Sequence, residues 1–102
     1  MLNIKSKEEF YELSKNGALV VDFYADWCGP CRMLSPVMEE LASQYEGKAT
    51  FAKLNVDNVD EIPSLFNIRS IPCVIFIKDC KEVNRIVGFR PRKEFEIAIE
   101  SL

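Results

Sequence analysis

The feature that most constrains this chain is the pentapeptide Trp27-Cys28-Gly29-Pro30-Cys31, taken with the patterns on either side of it. Residues 18–25 are almost all apolar or aromatic and rich in β-branched side chains, which predicts a strand covered on both faces. Residues 34–45 place apolar side chains at steps of three and four, which predicts an amphipathic helix. Two thiols with two residues between them, where a strand passes into a helix, suit thiol–disulfide exchange, because one thiol attacks and the second completes the reaction.

The same two cysteines are also compatible with half of a zinc site. A tetrahedral zinc site needs four ligands, and the chain has no histidine and only two further cysteines, Cys73 and Cys80. Seven residues of strand would separate these two by roughly 23 Å, too far for one shared metal or for a disulfide between them. We therefore expect no metal site. Whether Cys73 and Cys80 are inert thiols or sites of oxidation stays open at this stage.

Length and charge limit the class of protein. The 102 residues, 48% of them hydrophobic, predict a single domain over residues 1–102 with a sizeable core. The 13 basic and 16 acidic residues form no block of like sign, so we expect neither nucleic-acid binding nor membrane binding. No stretch approaches the roughly 18 apolar residues of a membrane span, and no apolar leader opens the chain. We expect a cytoplasmic protein, where a close cysteine pair is more often catalytic or metal-binding than structural.

The remaining patterns complete an α/β fold. Ser6 and Glu9 form a capping box that predicts a first helix, ended by Asn16 and Gly17. Gly47 should end the helix after the cysteines, and Pro36 should kink it. The other predicted elements are strands at 50–56, 74–77 and 82–87, a short helix at 60–66 and a last helix from Pro91 to Leu102. The predicted order, αβαβαββα, fits a central mixed β-sheet flanked by helices on both faces.

Four stretches in this order and spacing resemble thioredoxins along almost the whole chain: residues 21–25, residues 27–31, residues 52–57 and Ser70-Ile71-Pro72. The resemblance implies the thioredoxin fold and a thiol-disulfide oxidoreductase that reduces protein disulfides. It implies no bound cofactor beyond a redox-active Cys28–Cys31 disulfide. It also implies electron transport from a thioredoxin reductase that uses FAD and NADPH, as part of cell redox homeostasis. We expect the chain to act as a monomer.

Cys28 is predicted to be the attacking thiol. It lies where the strand ends and the helix begins, so unpaired backbone N–H groups and the positive end of the helix dipole favour its thiolate. Cys31, one turn further on, is predicted to resolve the mixed disulfide. Gly29 lets a substrate chain approach closely, and Pro30 fits the first helical turn because its missing N–H costs little there.

Asp22 interrupts an apolar strand, where desolvation would hold its proton to higher pH. That property suits a base that takes the proton of Cys31, although a strand-end aspartate bonded to the backbone is an equal alternative. The resemblance implies the first of these, a proton relay. Lys53 should lie on a neighbouring strand, where it either pairs with Asp22 or extends to the surface.

Ile71-Pro72 resembles the cis-proline loop of the family, which packs against the cysteines and presents backbone groups to an extended substrate. Trp27, Ile71, Gly88 and Phe89 are predicted to form an exposed surface for substrates, here called the docking rim. A buried Trp27 is the alternative. A non-catalytic binding module that uses the Trp27 face is a second functional class. Intact Cys28, Cys31 and Asp22 argue against it, because binding alone needs none of the three.

Overall fold

The chain forms one five-stranded sheet with four helices packed on it, in a computed structural model that describes residues 1–102. The elements are β1 (Leu2–Asn3), α1 (Lys7–Ser14), β2 (Ala18–Tyr24), α2 (Gly29–Gln44), β3 (Thr50–Asn55), α3 (Glu61–Leu65), β4 (Cys73–Lys78), β5 (Lys81–Val87) and α4 (Arg92–Glu100). The strands lie in the order β1-β3-β2-β4-β5. β3 pairs in parallel with β1 and β2, whereas β4 pairs antiparallel with both β2 and β5, so the predicted mixed sheet is confirmed.

Each face of the sheet carries its own apolar cluster. Phe10 of α1 and Ile62 of α3 pack on one face, against alternate residues of β2 such as Val21. Leu34 of α2 and Phe95 of α4 pack on the other face. Because successive residues of a strand point to opposite faces, β2 supplies side chains to both clusters. Helices on both faces, and a central strand buried on both sides, are therefore as predicted.

The structure adds one strand that the sequence patterns do not reveal. Leu2 and Asn3 form β1, which pairs with Ala52 and Lys53 of β3 at the edge of the sheet. Two exposed residues are too few to show an alternating pattern, so the predicted order lacked this strand. The observed order is βαβαβαββα.

The ends of several elements also differ from the predicted ranges. β2 ends at Tyr24 and β3 at Asn55, each one residue earlier than predicted. The last helix ends at Glu100. α2 runs without a break through the exposed Pro36, which has no N–H to donate to the carbonyl of Arg32. None of the four helices is both long and apolar enough to cross a membrane.

A two-residue turn, Asp79-Cys80, joins β4 to β5. Both residues have positive φ, 50° and 71°, as a type I′ hairpin turn requires. The Cys80 N–H donates to the carbonyl of Ser14 at 3.1 Å, and the Asp79 N–H donates to the carbonyl of Gly17 at 3.2 Å. The turn is thus held against the end of α1.

Candidate active site

Cys28 and Cys31 form a disulfide at the start of α2. Cys28 has an extended backbone and is the N-cap residue of the helix, with its Sγ accepting the N–H of Cys31 at 3.2 Å. The two α-carbons lie 5.2 Å apart, within the usual range for a disulfide. The predicted pair therefore lies at the positive end of a 16-residue helix, where the free N–H groups stabilise negative charge on sulfur.

The segment before β4 packs against this pair. The Ile71-Pro72 peptide bond is cis, as the resemblance implied. The carbonyl oxygen of Ile71 lies 3.8 Å from the Sγ of Cys28, and the Ile71 side chain packs on the small cluster of Ala25 and the two cysteines. The Gly88 N–H donates to the carbonyl of Pro72 at 2.8 Å. Residues distant in sequence thus meet beside the disulfide.

Trp27 lies on the surface and not in the core, with 69% of its surface exposed. Its indole Nε1 donates to the Oδ2 of Asp57 at 2.9 Å, which fixes the orientation of the ring. Phe89 is exposed as well, whereas Ile71 and Gly88 are half-buried. The predicted exposure of Trp27 is confirmed. Its partner Asp57 was missed, although it ends one of the four stretches that carry the resemblance.

Asp22 is buried in β2, with 4% of its surface exposed. Its Oδ1 has no hydrogen-bond partner, so the alternative of an aspartate satisfied by the backbone is not seen for that oxygen. Burial raises the pKa of Asp22 to about 7, an effect that the charge of Lys53 partly opposes. Asp22 and Cys31 line the same cavity of about 350 Å³. A carboxyl near half-ionisation at neutral pH therefore faces the space beside the second cysteine.

Lys53 lies directly opposite Asp22 in the parallel pairing of β2 with β3. Its placement on a neighbouring strand is as predicted, but the structure contains no salt bridge between the two side chains. The Lys53 ammonium instead lies 5.5 Å from the centre of the Tyr24 ring, within the range of a cation–π interaction. Sequence reasoning gave Tyr24 no role, because nothing in the pattern indicates which neighbour a long side chain contacts.

The other two cysteines lie apart from this site. Cys73 is a buried free thiol at the start of β4, and burial raises its pKa. Cys80 is an exposed free thiol in the β4–β5 turn, and its Sγ lies 3.5 Å from the carbonyl oxygen of Ser14. No group of three or more histidine, cysteine, aspartate or glutamate side chains is placed to hold a metal ion.

A disulfide at a helix N-terminus, with a cis-proline segment and a buried carboxyl beside it, is typical of thiol–disulfide exchange proteins. The sequence model of the family named Thioredoxin matches residues 2–101, and this chain belongs to that family. It is 45% identical over 86 residues to a thioredoxin of Staphylococcus saprophyticus, covering 84% of this chain and 83% of that protein. It is also 45% identical over 85 residues to a thioredoxin of Staphylococcus aureus, covering 83% of this chain and 82% of that protein.

Solved structures show the same likeness. Thioredoxin of Plasmodium falciparum superposes with a TM-score of 0.91 at 33% identity, covering 99% of this chain and 98% of that one. The oxidised mitochondrial thioredoxin 3 of Saccharomyces cerevisiae superposes with a TM-score of 0.92 at 31% identity, covering 100% of this chain and 95% of that one. The thioredoxin fold is confirmed. The protein is a thiol-disulfide oxidoreductase with protein-disulfide reductase activity, and the Cys28–Cys31 disulfide is its redox-active group. Membership of the family implies disulfide substrates and a thioredoxin reductase as partners.

Proposed function

We propose that Cys28 is the nucleophile in this exchange. The observation that carries the proposal is its position as N-cap of α2, with its sulfur accepting a helical N–H at 3.2 Å. In the reduced protein the Cys28 thiolate attacks one sulfur of a substrate disulfide. A mixed disulfide forms, the substrate S–S bond breaks, and the other substrate sulfur leaves as a thiolate that takes up a proton.

Cys31 completes the reaction with Asp22 as proton acceptor. The carboxylate of Asp22 takes the Cys31 proton through the cavity that both residues line. The new thiolate attacks the Cys28 sulfur, forms the Cys28–Cys31 disulfide and releases the second substrate thiol. Two protein thiols and one substrate disulfide thus give one protein disulfide and two substrate thiols. The raised pKa of Asp22, about 7, supports this role because a general base is most effective when its pKa lies near the working pH.

The docking rim binds the substrate segment that carries the disulfide. The exposed indole of Trp27 offers apolar surface, and the backbone of Ile71 next to Cys28 offers hydrogen-bonding groups to an extended chain. Apart from its chain neighbours and the adjacent backbone of its own helix, no atom lies within 4 Å of the position that a β-carbon on Gly29 would take, which leaves room for that chain to approach. Pro30 is exposed at the same edge, and Gly88 borders it through its bond to Pro72.

The setting of the reaction is the reducing cytoplasm, where a thioredoxin reductase with FAD and NADPH restores the dithiol. Cys73 and Cys80 have no disulfide partner in the structure, and unpaired cysteines are usual in proteins of a reducing compartment. The Gly-Pro pair between the cysteines resembles that of reducing members of the fold. We propose that residues 1–102 act as one domain and as a monomer, carrying electrons from the reductase to protein disulfides without nucleic acid or membrane.

Trapping the mixed disulfide tests the assignment of the two cysteines. A Cys31→Ser variant should accumulate a covalent complex with a disulfide-containing protein such as insulin, because the thiol placed to resolve the mixed disulfide is gone. A Cys28→Ser variant should form no such complex and should lose reductase activity by a factor of at least about a thousand. The measurement is mass spectrometry of the complex, together with the rate of insulin reduction.

Cys80→Ser is the matched control, because it removes an exposed thiol outside the site and should keep full activity. A Cys28→Ser variant that still reduces insulin would refute the assignment and favour exchange through another thiol. A covalent complex that maps to Cys80 would do the same.

A further inference from the structure

Three side chains of different chemistry meet on one face of the sheet beside the disulfide. Asp22 and Tyr24 are two residues apart on β2, so both point to the same side. Lys53 is paired with Asp22 across β2 and β3. All three line the cavity that Cys31 also lines. An acid, a base and an aromatic ring therefore share the space into which the second cysteine must release its proton.

The lysine contacts the ring and not the acid. Its ammonium lies 5.5 Å from the centre of the Tyr24 ring, whereas no salt bridge joins it to Asp22. The Oδ1 of Asp22 is buried without a hydrogen-bond partner. A buried carboxyl with a lysine at the paired position would ordinarily be stabilised by taking that ammonium as its partner. Attraction between the ammonium and the face of the ring competes with that contact.

We propose that Tyr24 is a positioning residue for thiol exchange, whose ring binds the Lys53 ammonium and keeps it out of contact with the Asp22 carboxyl. The inference rests on the proton-acceptor role proposed above for Asp22. Without the ring, the ammonium is free to pair with the carboxylate and to stabilise its charged form. A carboxylate stabilised in this way accepts a proton from Cys31 less readily at neutral pH.

Other charged and titratable groups lie near the same carboxyl, and the test must separate Tyr24 from them. Those that share its cavity are Lys53 of β3, Cys31 and Arg32 of α2, Asp26 of the β2–α2 loop and the amino-terminal residue Met1. Cys73 of β4 packs on the opposite face of the sheet and interacts with Asp22 electrostatically. Arg32 donates to the backbone carbonyl of Asp26 at 2.7 Å, and the amino terminus pairs with Glu39 at 3.7 Å. Lys53 is the group whose charge opposes the effect of burial on Asp22, so it is the one that a change at Tyr24 should redirect.

The experiment follows the Asp22 carboxyl by carbon-13 NMR while the oxidised full-length protein is titrated. Tyr24→Leu should lower the titration midpoint of Asp22 by about 1 pH unit, because the released ammonium approaches the carboxylate. Tyr24→Phe keeps the ring and should leave the midpoint near that of the unchanged protein. Tyr24→Met also removes the ring and provides the same test if Tyr24→Leu does not fold.

Repeating the Tyr24→Leu substitution in a Lys53→Gln protein separates two effects on the Asp22 midpoint: the release of the ammonium and a reduced burial of the carboxyl. In a Lys53→Gln protein, Tyr24→Leu should leave the Asp22 midpoint unchanged, because no ammonium remains to be released. An unchanged midpoint in Tyr24→Leu alone, or an equal fall in both backgrounds, would overturn the inference. The pH midpoint for resolution of a preformed mixed disulfide should fall together with the titration midpoint.

The proposed proton relay is judged by a different variant. If Asp22→Asn resolves the mixed disulfide at the unchanged rate, the relay role fails. The NMR midpoints still decide whether Tyr24 controls the contact between Lys53 and Asp22, so the two failures can be told apart.

Discussion

The ionised form of Asp22 destabilises the folded protein, because its carboxyl is buried. Its pKa is about 7 in the folded chain, against an ordinary value of 3.8 that should hold in the unfolded chain. Between these two values the folded state keeps the proton and the unfolded state has lost it, so the free energy of unfolding falls as pH rises. Below about pH 4 Asp22 is protonated in both states, and its ionisation costs the folded protein no stability. Above about pH 7 the loss of free energy of unfolding reaches its full value of roughly 4 kcal/mol.

Replacing Asp22 by asparagine should therefore stabilise the protein at alkaline pH and not at acid pH. We expect Asp22→Asn to raise the free energy of unfolding by several kcal/mol at pH 8.5, with the gain shrinking towards zero near pH 4. Urea unfolding of the oxidised protein at a series of pH values measures this difference directly.

Asp60→Asn is the control, because Asp60 is exposed and makes no side-chain cap bond to α3. The free energy of unfolding of the Asp60→Asn variant should equal that of the unchanged protein at every pH. A gain in Asp22→Asn that does not vary with pH would mean that the carboxyl is not protonated by burial, and the assignment of its pKa would be wrong.

At this scale the sequence predicts which residue types are unusual but not which atoms they contact. Two thiols at fixed spacing, and a carboxyl inside an apolar strand, are visible in the pattern itself. The bond from Trp27 to Asp57 and the contact of Lys53 with Tyr24 are not. Each depends on side-chain rotamers that are chosen only when distant segments have packed together.

The β4–β5 hairpin carries a local conflict between residue type and backbone. Cys80 has a φ of 71°, in the left-handed region where a β-carbon is unfavourable and glycine is preferred. The neighbouring Asp79, at 50°, is better suited because aspartate tolerates this region. What holds Cys80 in place is the fixed register of the two strands and the bond from its N–H to Ser14.

Cys80→Gly should therefore stabilise the protein by about 1 kcal/mol, since glycine adopts positive φ without a steric penalty. Cys80→Ala is the matched control, because it removes the thiol but keeps the β-carbon, and it should bring no gain. Chemical denaturation of the reduced proteins compares the two. If alanine stabilised as much as glycine, the thiol and not the backbone would be the source of the strain.

The elements themselves were largely predictable because most of them bury a regular face. The helix α2 and the strand β2 show clear periods of apolar residues, and their types and order agree with the structure. β1 could not be found in this way, because Leu2 and Asn3 are both exposed and gain their strand character only from pairing with β3. Ends such as that of β3 depend on hydrogen bonds to neighbouring strands, which a pattern of side chains does not record.

For the molecule as a whole, oxidation and folding are linked through the Cys28–Cys31 bond. The disulfide closes a short loop that restricts the unfolded chain, which in the chain-entropy description is worth about 2 kcal/mol for four residues. Cys28 caps α2 and Cys31 lies in its first turn, so folding fixes the backbone at both cysteines and the folded chain loses little freedom when the bond forms. Folding should therefore favour the disulfide, and the folded protein should be the stronger reductant by about 40 mV compared with the unfolded chain.

The oxidised protein should then be more stable than the reduced protein by about 2 kcal/mol at pH 7. Urea unfolding with and without excess dithiothreitol measures the difference. Cys28→Ser cannot form the bond, so its unfolding should be the same under both conditions. Equal stability of the oxidised and reduced proteins would show that the fold does not favour either state.

The hydrogen bond from Trp27 to Asp57 has a further consequence for how the docking rim meets other molecules. A large exposed side chain usually loses rotational freedom when a partner covers it, and that loss weakens the complex. Trp27 is held before any partner arrives, although 69% of its surface is open to water. In the docking role proposed for it, much of the ordering has already occurred during folding. Such a surface can bind a partner with little further loss of side-chain freedom and without a change of shape. This property suits brief encounters with disulfides on proteins of many shapes.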